Sequence, residues 1–127
     1  VSGSRVVEYA NRNRLSELLL QDVFGVFVPL IDSGIDMIAY REDTREIRLI
    51  QQKSRWTVDR KYLGRNIWIA FPDGEDWFLV PHDHLLRTAH EGLVDTQSWT
   101  ETGVYSRASI TAAQRSALAG YKIGVSS

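Results

Sequence analysis

An α/β fold, with a central mixed sheet of about five strands flanked by helices in the order α-β-β-β-α-β-β, is predicted by three features of the sequence. Leu15, Leu18, Leu19 and Val23 recur at helical spacing, which lays an apolar stripe onto a sheet. Three short apolar runs between residues 26 and 54 are separated by turn chemistry. Two further runs follow, Asn66–Phe71 and Trp77–Val80, parted by Pro72-Asp73-Gly74. The chain has 127 residues, 43% of them hydrophobic and 24% charged, which suits a single domain over 1–127 with a core of its own.

Residues 4–22 read as the first helix, although Asn11 and Asn13 interrupt the pattern and Asn13 can cap a shorter one. Gly25 ends it. Val26, Phe27, Val28 and Leu30 read as a first strand, and Pro29 within it marks an edge or a strand end. Ile31-Asp32-Ser33-Gly34 is turn chemistry. Ile35–Tyr40 and Glu46–Ser54 are then two strands joined by the polar segment Arg41–Arg45, completing an antiparallel meander. Thr57 as cap, Asp59 in the first turn and Gly64 as terminator predict a short helix over Val58–Leu63. Asn66–Phe71 fits a strand buried on both faces. His82-Asp83 opens a helix to about His90, Gln97–Tyr105 reads as irregular strand or loop, and Thr111 to Gln114 matches a capping box opening a last helix to about Gly120.

Several function classes are excluded or unsupported. With no cysteine there are no thiolate zinc sites, iron–sulfur clusters or cysteine nucleophiles, and a cytoplasmic location is the compatible expectation. No stretch approaches the roughly 20 apolar residues of a membrane helix, and no membrane partner is expected. The formal net charge is −1. Charge is nevertheless uneven: Lys53, Arg55, Arg60, Lys61 and Arg65 face a single acid, Asp59, in that segment, a patch suited to phosphates or, equally, to plain solvation. Neither a GxGxxG nor a P-loop pattern occurs, and no serine stands in a nucleophile-elbow context.

The second and third strands carry the residues of most chemical interest. Asp36 lies near the start of one, and Gln51 and Lys53 near the end of the other, projecting to one side because strand side chains alternate. Taken singly, Asp36 suits a turn beside Gly34, and Lys53 a strand end snorkelling outward. In this order and placement the chain resembles the PD-(D/E)XK nuclease-like superfamily, which includes restriction endonucleases and archaeal Holliday-junction resolvases. The residues carrying the resemblance are Gly34-Ile35-Asp36-Met37-Ile38-Ala39 and Gln51-Gln52-Lys53-Ser54-Arg55, and the similarity covers roughly Leu15 to Leu86. The departure is Gln51, which stands where the family usually has its second acid, making this a QxK variant.

What the resemblance implies is a restriction-endonuclease-like core and a metal-dependent endonuclease acting on DNA, branched DNA included. Asp36, the Gln51 side-chain oxygen and the Gln52 carbonyl would hold Mg²⁺ or Mn²⁺, with Glu17 as the helix carboxylate and Glu8 as second choice. Taken alone, Glu17 reads as a surface acid paired with Arg14 or Gln21. Lys53 would stabilise developing charge, while Arg55, Arg60, Lys61 and Trp56 would contact nucleic acid. Relatives often pair to cut two strands, so a homodimer is expected. Because Gln51 lacks the full charge a hard cation favours, the alternative is a noncatalytic relative that binds nucleic acid or protein. Of the other tryptophans, Trp68 and Trp77 are expected in the core. His82 and His84 are expected as capping or surface residues, since positions two apart do not share a helical face.

Overall fold

The computed structural model describes residues 3–31 and 33–124. Helix α1 (Gly3–Gln21) is followed by β1 (Gly25–Phe27), β2 (Met37–Arg41) and β3 (Glu46–Gln52). Next come β4 (Trp56–Asp59), a 3-10 turn (Arg60–Tyr62), β5 (Ile67–Asp73), β6 (Asp76–Pro81) and α2 (His82–Arg87). A second 3-10 turn (Leu93–Asp95), a π-helical turn (Ser98–Thr102), β7 (Val104–Arg107), α3 (Ala112–Ala117), a third 3-10 turn (Ala119–Tyr121) and β8 (Lys122–Ile123) complete the order.

The main sheet is mixed and six-stranded, in the order β1-β2-β3-β5-β6-β8. Only β3 and β5 run parallel; every other neighbouring pair is antiparallel. The expectation of an α/β chain with a mixed sheet therefore holds at that level, with β8 added at one edge. β4 and β7 form a separate two-stranded antiparallel sheet.

Alternation along the strands divides the interior in two. Ile67, Ile69 and Phe71 of β5, with Phe78 and Val80 of β6, face a cluster closed by Trp56, Val58, Tyr62, Leu85 and Trp99. Ala70, Leu79, Trp77 and Ile50 face the opposite way, onto Leu15, Leu18 and Leu19 of α1. The leucines thus do what their spacing predicts, whereas Val23, expected in the same stripe, lies past the end of α1 and is 74% exposed. Burying side chains of this size stabilises each by roughly 1.5–3 kcal/mol, so both layers are anchored to the same strands.

The end of α1 is a Schellman motif: the Phe24 N–H donates to the Leu19 carbonyl at 3.0 Å and the Val23 N–H to Leu20 at 3.0 Å. The position that motif normally gives to glycine is Val23, held at φ 67°. A β-branched residue there is strained.

The structure corrects the expected helix over Val58–Leu63. Trp56, Thr57, Val58 and Asp59 are all buried, and they pair with Arg107, Ser106, Tyr105 and Val104. The cap is Asp59, two residues past the expected Thr57, and it serves a single 3-10 turn, where its carboxylate accepts from the Lys61 N–H. The connection between the parallel strands β3 and β5 is therefore a strand and a tight turn, not a crossover helix. Three smaller corrections follow. The first strand stops at Phe27, α2 ends at Arg87, and the last helix breaks into α3 and a 3-10 turn at Leu118. The capping box at Thr111 and Gln114 is present as expected.

Candidate functional site

The ends of β2 and β3 meet the first half of α1 at a cleft of about 620 Å³. Its sheet wall is formed by Asp36, Gln51, Gln52, Lys53 and Ser54, and its helix wall by Glu8, Asn11 and Arg12 with Val7 and Tyr9. Asp36, Gln51, Gln52 and Lys53 thus share one cavity, as the strand placement predicts.

Backbone geometry explains the convergence. The Asp36 N–H donates to the Ile50 carbonyl at 2.9 Å, which fixes the start of β2 against the end of β3. The Asp36 carboxylate then accepts from the Gln52 N–H at 2.7 Å. In an extended strand a residue's N–H and C=O leave the same edge. The Gln52 carbonyl accordingly faces the side on which Asp36 lies. On the far edge the Lys53 N–H donates to the Ala70 carbonyl at 2.8 Å. The next amide on that edge of β5 would belong to Pro72, which has none, so the ladder stops there and Lys53 enters the cleft one residue past the strand.

Gln51 is only 8% exposed. Its amide nitrogen donates to the Gly34 carbonyl, which fixes the amide's orientation and leaves the side-chain oxygen as an acceptor. The oxygen set at the cleft is therefore the Asp36 carboxylate, the Gln51 amide oxygen, the Gln52 carbonyl and the Glu8 carboxylate. This is hard-donor chemistry and fits a cation such as Mg²⁺ or Mn²⁺ in kind, with two formal charges. Among the described residues no group of three or more His, Cys, Asp or Glu is placed to hold a metal.

Glu17 is not part of this cleft. Its carboxylate pairs with Arg14 at 3.1 Å and accepts from the Gln21 amide, and its side chain is 57% exposed. It lies further along α1, and Glu8 is the helix acid that lines the cavity. Gln52 ties that part of the helix down by donating from its side chain to the Glu8 carbonyl at 3.2 Å.

Beside Lys53 stands Tyr62, with the Lys53 ammonium 5.6 Å and the Lys61 ammonium 5.3 Å from the centre of its ring. Burial pushes the Tyr62 phenol above its ordinary value; Lys61 opposes the rise, while Asp59 and Asp36 add to it. Arg12 does not stand out in the sequence, because only the fold brings it to the cleft, while Tyr62 belongs to the buried core beside Lys53 rather than to the cavity's lining. Arg55, Arg60 and Lys61 are exposed beyond the cavity's lining. Trp56 is corrected: at 1% exposure it is a core residue edge-on to Tyr105 and unable to stack a base.

No protein-family model, curated protein or solved structure matches this chain.

His82, expected as a cap or at the surface, is 1% exposed and makes no side-chain cap hydrogen bond in α2. Its Nε2 accepts from the Asp59 N–H at 3.0 Å, which places the ring proton on Nδ1, facing Asp83 Oδ1 at 3.0 Å. The histidine thus pins β4 to α2 beneath the turn that carries Lys61 and Tyr62. Asp83 also accepts from the Gly64 N–H, and its carboxyl is held below the ordinary range chiefly by the bond to His82, against a smaller opposing effect of burial.

No helix among the described residues is long and apolar enough to cross a membrane.

Proposed function

We propose that the chain is a metal-dependent endonuclease that hydrolyses DNA phosphodiester bonds, with a restriction-endonuclease-like core of the QxK kind. The observation that carries this reading is the single cleft shared by Asp36, Gln51, Gln52 and Lys53, faced by Glu8 from α1. Asp36, the Gln51 oxygen, the Gln52 carbonyl and Glu8 would hold Mg²⁺ or Mn²⁺, which when bound supplies an acidified water and charge neutralisation at the phosphate. Lys53, its backbone fixed by Ala70 and its ammonium beside Tyr62, would supply positive charge to an attacked phosphate. Arg12 is the cation on the helix wall. Arg55, Arg60 and Lys61, exposed outside it, would contact backbone phosphates without reading sequence.

The test is incubation of supercoiled plasmid and branched DNA with Mg²⁺ or Mn²⁺. Nicking that Lys53→Ala abolishes is the expected outcome. No nicking of either substrate, or nicking indifferent to Lys53→Ala, rejects the reading. Pairing into a homodimer is part of the proposal, and sedimentation showing only monomer at working concentration removes it.

One observation favours a noncatalytic module with the same cleft. Gln51 replaces a carboxylate and spends its amide on Gly34, so two acids remain in the lining. DNA binding without any nicking, under conditions where the metal is saturating, would select that reading.

A further inference from the structure

At the other end of α1 lies a smaller recess of about 240 Å³, lined by Asp22, Phe24, Arg41, Arg48, Trp68 and Lys122 among others. The Asp22 end of α1 is about 20 Å from Glu8 at a rise of about 1.5 Å per residue, so this recess is separate from the cleft. Its cations are arranged unusually. The Arg41 guanidinium lies 4.2 Å and the Arg48 guanidinium 4.8 Å from the centre of the same ring, Phe24. Arg48 also lies 4.3 Å from the centre of the Trp68 ring. Two like charges held on one ring repel unless an anion lies between them.

The chain supplies that anion incompletely. Glu46 pairs with Arg48 at 2.9 Å, and Lys122 with Asp76 at 3.3 Å, but neither acid is among the residues lining the recess. Arg41 donates to the Asp22 carbonyl at 2.6 Å, and no carboxylate among the described residues forms an ion pair with it. The Nε groups of Arg41 and Arg48 are both buried without a hydrogen-bond partner among the described residues. Asp22 is the acid that does line the recess, and its carboxylate accepts from the Gly124 N–H at 3.2 Å. The lining thus holds three cations and one acid; Arg48 and Lys122 are paired with Glu46 and Asp76 just outside it, and Arg41 has no ion pair among the described residues.

We propose that the recess is a phosphate-binding site, taking a terminal phosphate through the guanidiniums of Arg41 and Arg48 with Lys122 beside them. Arginine forks stacked on aromatic faces are pre-organised for bidentate recognition of phosphate oxygens. Phosphate oxygens would fill the guanidinium N–H positions that Glu46 and the Asp22 carbonyl leave open. A metal ion is disfavoured by the three cationic side chains in the lining. The phosphate belongs either to free phosphate or to a nucleic-acid end, and both share this chemistry. The inference does not depend on the nuclease reading.

Calorimetric titration of the full chain with inorganic phosphate, and with a short single strand bearing a 5′-phosphate or a 5′-hydroxyl, tests it. Saturable binding of inorganic phosphate and of the phosphorylated strand is expected, with phosphate displacing the strand. Losing one charge-assisted fork, as in Arg41→Gln or Arg48→Gln, should weaken binding about tenfold or more. Arg87→Gln, which removes an exposed cation belonging to neither the recess nor the cleft, should leave it unchanged whether or not the chain cuts DNA. Tighter binding of the phosphorylated strand than of inorganic phosphate assigns the site to nucleic-acid ends; equal binding assigns it to free phosphate. The proposal is overturned if neither probe binds at millimolar concentration, if the hydroxyl strand binds as well as the phosphorylated one, or if both arginine variants bind as the parent does. Should either arginine variant fail to fold, Lys122→Gln at the rim supplies the same comparison: weakened phosphate binding supports the site, and unchanged binding overturns it.

Discussion

Replacing His82 by alanine removes the support beneath the turn beside the cleft. The ring is 1% exposed and its Nε2 is the acceptor for the buried Asp59 N–H. Leaving that N–H unpaired costs about 1–3 kcal/mol. Emptying the space of a ring that packs edge-on against Tyr62 at 5.5 Å adds a cavity, and together the two should destabilise the fold by about 3–5 kcal/mol. Domains of this size are stable by only about 5–15 kcal/mol, so the loss is large. His82→Gln retains a side-chain acceptor at a similar reach and should recover about 1–2 kcal/mol of it. Urea unfolding followed by tryptophan fluorescence gives both numbers, provided the slope with denaturant is unchanged. An alanine variant within about 1 kcal/mol of the parent, or a glutamine variant no better than alanine, would refute the role assigned to this bond. The same pair of variants should loosen Tyr62, and with it the Lys53 ammonium.

Three further outcomes are expected. Asp83 has a folded-state pKa lowered mainly by His82, so its contribution to stability is present above the unfolded value, about 4, and is lost as pH falls through the folded value. The stability gap between the parent and Asp83→Asn should therefore close in acid, as measured by urea titrations at stepped pH. Val23→Gly relieves a left-handed valine at the end of α1 and should raise stability by about 1 kcal/mol, read as a shift of the urea midpoint. Glu8→Gln should weaken Mn²⁺ binding by calorimetry, whereas Glu17→Gln, whose carboxylate engages Arg14 and Gln21 outside the cleft, should leave it as in the parent.

What could be read from the sequence was set by local periodicity and by short-range chemistry. The leucines of α1, the buried run of β5 and the Thr111 capping box all declare themselves within a few residues. Asp36, Gln51 and Lys53 could be placed together because one hairpin joins their strands. β4 could not be seen in this way. Its hydrogen-bond partners, Val104–Arg107, lie more than forty residues downstream, and the Thr57–Asp59 signals for a helix start are genuine but were outweighed by that pairing. The burial of Trp56 and His82 follows from the same long-range sheet. Glu8 and Glu17 are told apart only by where α1 crosses the sheet, which no local pattern encodes.

Pro72 sets how firmly the cleft's lysine is held. Up to Gln52 the third strand is clamped on both edges, by β2 and by β5; Pro72 then leaves the Lys53 carbonyl without a donor on the β5 side. The Lys53 N–H is bonded to Ala70, whereas the Ser54 N–H, on the opposite edge, has no backbone acceptor among the described residues, so amide hydrogen exchange should be slow at Lys53 and fast at Ser54. The imino acid thus acts as a stop: it ends the β3–β5 ladder at the lysine, before the chain turns away into the separate β4–β7 sheet.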